Sequence, residues 1–278
     1  LPHMRRLNLS EIQDLLYQAL CAIADFCEEN GLRFYLFGGT LLGAARHQGF
    51  IPWDDDIDVT MPRPDYEKFL ALPKPASWEG RYGLVTTPCP FAKVAVLETE
   101  CRKGSMKKKR PVGRISVDVF PIDGLPKDKE AIDRHFALIK KLKRRMLDGM
   151  TSVVGEKSLP PLKRLSRTVG RVVKWFPYWL MNPERFGDRI TRECRQYDFE
   201  SSEYVCAAIF GSGWRDVSPR VEVVDAVYLP FRDRRFPATR FYDKTLTMRY
   251  GDYMTVPPEN RRGKPHGRFY IREAGDSE

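Results

Sequence analysis

The sequence predicts an α+β fold, a small mixed sheet with helices packed on it and a mainly helical insertion or second lobe. Three features predict it. An amphipathic helical pattern opens the chain. Short apolar runs punctuated by glycine and proline follow from about 32 to 123 and return after Ser201. A basic, less periodic stretch separates the two sets, and there is no internal repeat or low-complexity tract.

Taken in order, Ser10-Glu11-Ile12-Gln13 reads as a capping box. Apolar residues at 12, 15, 16, 19, 20, 23, 26 and 27 then give one helical face, which Asn30-Gly31 closes. Leu32 to Phe37 is short, aromatic and apolar and stops at Gly38-Gly39, as a strand does. Leu41 to Arg46 predicts a short helix whose N-terminal amides face the glycine turn, and Asp56 to Met61 the next strand. Pro64 to Leu70 follows as a helix with its proline at a tolerated early position. Gly83 to Thr87, Ala92 to Glu98 and Arg114 to Phe120 read as strands, the last two separated by a basic loop, 102 to 110. Residues 128 to 200 read as helical, broken at Pro160-Pro161, Pro177 and Pro183, and Tyr242 to Tyr250 reads as a further helix.

Of 278 residues, 42% are hydrophobic and 12% aromatic, which suffices for a real core. No apolar run approaches the ~20 residues of a membrane span, and no signal peptide is seen at the start, so a cytoplasmic location is expected. Cysteines 21, 27, 89, 101, 194 and 206 show neither a CxxC pair nor zinc spacing, and read as reduced core thiols. A net charge of +10 suits nucleic acid, an anionic membrane surface or a phosphate-bearing substrate, and does not choose among them.

The segment from Leu36 to Met61 does choose. An apolar run stops at a double glycine, and Asp54, Asp55, Asp56 and Asp58 then stand within five positions ahead of a second apolar run. Carboxylates this close repel one another unless something cationic sits between them. In an extended chain alternate side chains share a face, so Asp56 and Asp58 point the same way while Ile57 and Val59 go to the core. Two parallel carboxylates beside a glycine turn make a holder for magnesium and a phosphate. Gly38 and Gly39 let backbone amides approach that phosphate and Thr40 adds a hydroxyl, although most glycine pairs are plain turns.

The stretch Gly38-Gly39-Thr40-Leu41-Leu42, continued through Trp53-Asp54-Asp55-Asp56-Ile57-Asp58-Val59 to Tyr66, resembles the LicD family of phosphocholine transferases, which also includes fukutin and fukutin-related protein. The similarity continues in Val117-Asp118-Val119-Phe120-Pro121-Ile122-Asp123-Gly124. It returns in Tyr242-Asp243, Leu246, Tyr250-Gly251-Asp252-Tyr253-Met254 and Pro257-Pro258-Glu259. Residues 128 to 225 carry no matching motif. Phe231 to Thr239 departs from the family pattern, with arginines where an acidic, glycine-containing stretch is common and Thr239 where a proline is common. The resemblance implies a nucleotidyltransferase-type fold, in which a mixed sheet carries a Gly-Gly turn and an Asp-x-Asp strand. The expected units are a cloning remnant at 1–3, a nucleotidyltransferase-like catalytic core at 4–127, a basic helical insertion at 128–225, and a C-terminal part at 226–278 returning to the core.

The resemblance further implies transfer of phosphocholine, or a related phospho-alcohol, from a CDP-linked donor such as CDP-choline onto a sugar hydroxyl. In that scheme Asp56, Asp58 and Asp118 are the catalytic metal ligands, for magnesium or manganese. Asp118 stands alone among apolar neighbours, where a bare charge is costly to bury, so it wants a cation; otherwise it caps a turn into Pro121. Asp123 reads as a turn residue, Asp54 as a further ligand, an orienting base or a turn residue, and Asp55 as structural. Arg46 reads as a clamp on the transferring phosphate, with His47 beside it either reaching that phosphate or merely solvated. Lys93 reaches the donor's diphosphate or faces outward from a half-exposed strand. Trp53 offers a face to a quaternary ammonium or packs its loop. Asp252 and Tyr253, with Tyr250, line the acceptor side or cap a helix. Trp175 to Met181, preceded by Arg171 and Lys174, suits contact with an anionic membrane at its inner face, or a buried hinge. The acceptor is expected to be a glycan, lipid-linked in one version, and nucleic acid is not an expected partner. The rival readings are a nucleotidyltransferase releasing pyrophosphate from an NTP, a basic nucleic-acid-binding module, and an inactive scaffold.

Overall fold

A computed structural model of the chain describes residues 4–86, 90–102, 113–150, 183–210, 213–263, 265 and 267–272. The basic loop beyond Arg102, the segment Trp175 to Met181 and Cys89 lie outside the described residues.

Helix α1 (Leu9–Glu29) begins two residues earlier than its apolar pattern suggests, because Asn8 rather than Ser10 is the cap. The Asn8 side chain accepts from the Glu11 amide at 3.0 Å while the Glu11 carboxylate accepts from the Asn8 amide at 2.8 Å. The helix closes at Asn30, and Gly31 takes the left-handed conformation. Its buried face, including Leu16, Leu20 and Ile23, packs on one side of the central sheet.

The sheet runs in the order β2 (Tyr35–Leu36), β3 (Ile57–Pro62), β7 (Ser116–Gly124), β5 (Ala92–Val96) and β4 (Tyr82–Thr86). Only β3 and β7 are parallel to each other; the other pairings are antiparallel. The chain is therefore an α+β protein with a mixed sheet, as the sequence predicts. The first strand is shorter than the predicted Leu32 to Phe37, and β7 runs further than Phe120, through Pro121 to Gly124. Pro121 is tolerated because it falls between the end of the β5 ladder at Val119 and the start of the β8 (Tyr204–Cys206) ladder at Asp123. Asp123 is thus a strand residue and not the predicted turn. It is fully buried, and its carboxylate holds the Arg63 guanidinium through two hydrogen bonds of 2.6 and 2.9 Å.

The two faces of the sheet differ. Ile57, Val59, Val117, Val119 and Val94 point into the core beneath α1. The opposite face carries Asp58 and Asp118, then Phe120, which packs with helices α4 (Lys129–Met150) and α5 (Pro183–Cys194). Those helices are the described portion of the helical stretch.

Helix α2 (Gly38–His47) begins at the first glycine, so the glycine pair forms its first turn and does not precede it. Helix α3 (Arg63–Ala71) follows β3 directly. Strand β6 (Thr99–Arg102) pairs with β12 (Arg268–Arg272), which also pairs with β1 (Met4–Arg6), tying both ends of the described chain together. Two further short elements, β9 (Ser218–Pro219) and α6 (Arg220–Val224), lead to the hairpin β10 (Ala226–Phe231) and β11 (Arg234–Thr239). Arg232 at the hairpin's tip pairs with Asp14 at 2.7 Å and Arg234 with Asp25 at 2.5 Å, both on α1. Two of the arginines that depart from the family pattern therefore bind α1, and the third, Arg235, donates to the Tyr228 carbonyl within the hairpin. Helix α7 (Tyr242–Tyr250) has the predicted bounds. Cys21, Cys27, Cys101, Cys194 and Cys206 are thiols, and all but Cys21 are buried. Among the described residues no helix is long and apolar enough to cross a membrane.

Candidate active site

Strand register builds the site. Asp58 on β3 lies opposite Asp118 on β7, and Asp118 lies opposite Lys93 on β5. Three ionisable side chains thus stand in one row across adjacent strands, on the face away from α1. The Lys93 ammonium donates to both oxygens of Asp118, at 2.5 and 2.6 Å, and Ser116 Oγ lies 3.4 Å from one of them.

The glycine turn closes on this row. The Asp58 amide donates to Thr40 Oγ1 at 2.9 Å, and the Phe37 amide donates to the Asp58 carbonyl at 3.1 Å, so the start of α2 is bound to the start of β3. A Cβ added to Gly38 would lie 3.2 Å from Asp58 Oδ2, and one added to Gly39 only 2.9 Å from Asp54 Oδ2. Gly38 also has a φ of +56°. The first turn of α2 can approach the carboxylates because it has no side chains there.

Burial pushes the Asp58 carboxyl well above its usual range, and the charges of Asp56 and Asp118 push it further. Asp118 is also raised, mainly by burial, with Lys93 pulling the other way. The charge of Asp56 raises both of them. Asp54 sits in the preceding turn, where its amide donates to the Ile51 carbonyl at 2.9 Å and its carbonyl accepts from Gln13 of α1. Asp55 is buried, which fits the structural part expected of it. Among the described residues no three carboxylate, imidazole or thiol groups are drawn together as a ready metal cage, and both Asp118 oxygens face Lys93. The donor set of clustered, mutually repelling carboxylates is nonetheless all oxygen, the kind a hard cation takes.

The remaining expected residues are spread more widely. The Arg46 guanidinium donates to the carbonyls of Tyr253 and Thr255, at 2.7 and 3.4 Å, and to His47 Nε2 at 2.9 Å. It holds the segment after α7 onto the end of α2. His47 lies edge-on to Trp53, whose ring has the Arg262 guanidinium 4.5 Å from its centre. Asp252 accepts from the Thr255 hydroxyl at 2.6 Å, and Tyr253 donates to Asp243 at 2.5 Å. Asp252 and Tyr253 therefore build the corner after α7, bound to α7 through Asp243 and to α2 through Arg46.

Sequence reasoning missed several neighbours of the row. Phe120 packs with Phe91, Phe210 and Phe37 at centroid distances of 4.7, 4.8 and 6.2 Å. Three cations sit on these rings: Lys93 on Phe91, Lys143 on Phe210 and Arg249 on Phe37, at 5.1, 5.3 and 4.7 Å. Period-two spacing from Asp118 and Lys93 could have found Phe120 and Phe91; no local signal marks Lys143 or Arg249. Tyr250 stands near enough that the charges of Asp58 and Asp54 help burial to push its phenol pKa up. Beyond Thr60, two residues past Asp58 on β3, a cleft of about 670 Å³, counting its open mouth, runs toward β9 and α7.

The glycine start of α2 over the strand that carries Asp58 is the centre of the candidate site, and it falls within the stretch that matches known proteins. Residues 31–144 match the family described as LicD/FKTN/FKRP, nucleotidyltransferase domain. The matched stretch, less than half of the chain, is a LicD-type domain and includes α2, Asp58, Lys93 and Asp118. It is similar to the lipopolysaccharide cholinephosphotransferase LicD of Haemophilus influenzae, 29% identical over 277 residues that cover 98% of this chain and 99% of that one. It is also similar to the ribitol 5-phosphate transferase FKRP of Homo sapiens, 59% identical over 32 residues, which is 12% of this chain and 6% of that protein.

Proposed function

We propose that the chain transfers phosphocholine, or a closely related phospho-alcohol, from a CDP-linked donor to a sugar hydroxyl of a glycan, with release of CMP. The in-register row of Asp58, Asp118 and Lys93 under the glycine start of α2 carries this reading. The near full-length likeness to a cholinephosphotransferase supplies the alcohol and the glycan acceptor.

Asp56, Asp58 and Asp118 are the residues that would hold magnesium, and the ion would neutralise the diphosphate and the charge that develops on the leaving CMP. Lys93 lies at the end of the row, where its ammonium can pass from Asp118 to a diphosphate oxygen. Lys143 and Arg249 add positive charge on the aromatic floor. The acceptor oxygen attacks the phosphorus that bears the alcohol, the bond from that phosphorus to CMP breaks, and the hydroxyl proton passes to a carboxylate. Asp54, the cluster member outside the metal set and beside Gly39, would take that proton.

The test is CMP release from a panel of CDP-alcohols with crude glycan, with magnesium and with EDTA, in wild type and Asp58→Ala. Metal-dependent CMP release lost in Asp58→Ala supports the reading. Pyrophosphate release from CTP with no CMP from any donor would replace it with the nucleotidyltransferase alternative, which the matched domain's description favours.

A further inference from the structure

We propose that the second half of α4 rests on an anionic membrane surface, with Lys140, Lys141 and Arg144 on the lipid phosphates and Leu147 in the headgroup layer. The inference goes beyond the donor chemistry above and does not depend on it.

The charges of α4 divide at its middle. In the first half they pair within the helix, Lys129 with Asp133 at 2.8 Å and Arg134 with Glu130 at 4.0 Å. The second half carries Lys140, Lys141, Lys143, Arg144 and Arg145 with no acidic residue among them. Lys140, Lys141 and Arg144 are exposed, and none of the three has an ion pair among the described residues. Lys140 with Arg144, and Lys141 with Arg145, are like charges four positions apart, which weakens a helix. No basic residue lies in the last turn, so the helix dipole does not offset that repulsion. A cationic stripe held against the helix's own preference points to an anionic partner outside the fold.

Packing fixes where the stripe faces. Ile132, Phe136, Ile139, Leu142 and Met146 are buried in the core of the helical lobe, which leaves the basic side to solvent. Lys143 follows Lys140 by three positions and precedes Leu147 by four, so the three share one side of the helix. Lys143 sits 5.3 Å from the centre of the Phe210 ring, and Phe210 packs on Phe120, two residues from Asp118. The stripe thus carries the positive surface of the candidate site outward along α4.

Leu147 decides which anionic partner fits. It is 41% exposed at the end of the stripe, three positions after Arg144. A bilayer takes basic heads at the level of its phosphates and an apolar side chain just beneath them, whereas a nucleic-acid backbone gives the leucine no apolar contact. The sequence between α4 and α5 has the same mixture, with Arg171 and Lys174 ahead of Trp175-Phe176-Pro177-Tyr178-Trp179. Among the described residues no helix is long and apolar enough to cross a membrane, so the contact is peripheral.

The experiment is vesicle flotation of the full chain at about 0.1 M salt, on phosphatidylcholine alone and with about 30% phosphatidylglycerol added. One variant combines Lys140→Gln, Lys141→Gln and Arg144→Gln. A control with equal charge loss combines Arg6→Gln, Arg268→Gln and Arg272→Gln, exposed positions on β1 and β12. Circular dichroism checks the fold of each. Wild type should float with the anionic vesicles only. The α4 variant should bind them about 100-fold more weakly, the control no more than about threefold. Leu147→Gln should lose about threefold. No flotation of wild type on anionic vesicles, or equal losses in the α4 variant and the control, overturns the proposal. Duplex DNA held more tightly than the vesicles at the same salt, and released by the α4 variant, overturns it in favour of nucleic acid. Flotation is read without turnover, so a chain that binds vesicles but releases no CMP counts against the proposed reaction alone.

Discussion

The Lys93 ammonium bridges both carboxylate oxygens of Asp118, and the same register places Asp58 on the far side of Asp118. One lysine thus occupies the carboxylate that the proposed magnesium would need. Its removal separates charge neutralisation in the resting protein from charge neutralisation during transfer.

Lys93→Met should lower kcat by about 100-fold, because the proposed diphosphate loses the positive charge at the end of the row. Magnesium affinity should hold or rise, since Asp118 loses its competing cation. Initial rates across a magnesium titration read both quantities together. A parallel fall in kcat and magnesium affinity would show that Lys93 only shapes the carboxylates.

Gly39→Ala tests the close approach of α2. The new methyl group would lie 2.9 Å from Asp54 Oδ2, a contact that a real Cβ does not make, so the helix start or the carboxylate must shift. The expected stability loss is modest, about 1 kcal/mol, because the helical backbone itself accepts alanine. Turnover should fall much further than stability. Urea unfolding beside CMP-release rates checks this; wild-type turnover in Gly39→Ala would show that the approach has no chemical purpose.

Arg63 and Asp123 carry the largest single stability term we expect. The pair is buried, with the Asp123 side chain fully covered and the Arg63 guanidinium making two bonds to it. Arg63→Met strands a carboxylate in the core and should cost about 3–5 kcal/mol, measured by urea denaturation. Replacing both residues, as Arg63→Met with Asp123→Leu, should recover much of the loss, since apolar packing needs no partner charge.

Elements set by local chemistry were legible in the sequence. Period-two alternation put Asp58 on the face opposite the core residues Ile57 and Val59, and α7 was bounded by its own residues. Cap identity was less so, because Asn8 and Ser10 are both good caps and tertiary packing decided between them. Asp123 read as a turn residue because an aspartate before a glycine usually is one, and only the distant Arg63 makes it a buried strand residue. The Phe37, Lys143, Arg249 and Asp216 group lies on four separate elements, so no spacing rule can assemble it. Arg46 illustrates the converse: its place near the glycines was legible, yet its bonds to Tyr253 and Thr255 depend on a segment some 200 residues away.

Trp53 gives the test that bears most on choline recognition. An indole face beside the aspartates is the natural cage for a quaternary ammonium, but here Arg262 lies 4.5 Å from the ring centre. A guanidinium on that face excludes a second cation by occupancy and by repulsion, which leaves the ring a packing role between its loop and the chain after α7. Trp53→Phe should therefore lower the melting temperature by a few degrees, about 1 kcal/mol of stability. The preference for CDP-choline over CDP-glycerol should be unchanged, because the indole face is already taken. Arg262→Ala should do the same, since it uncovers the ring without building a cage around it. If Arg262→Ala raised kcat/KM for CDP-choline alone, the bared indole would be acting as a choline face.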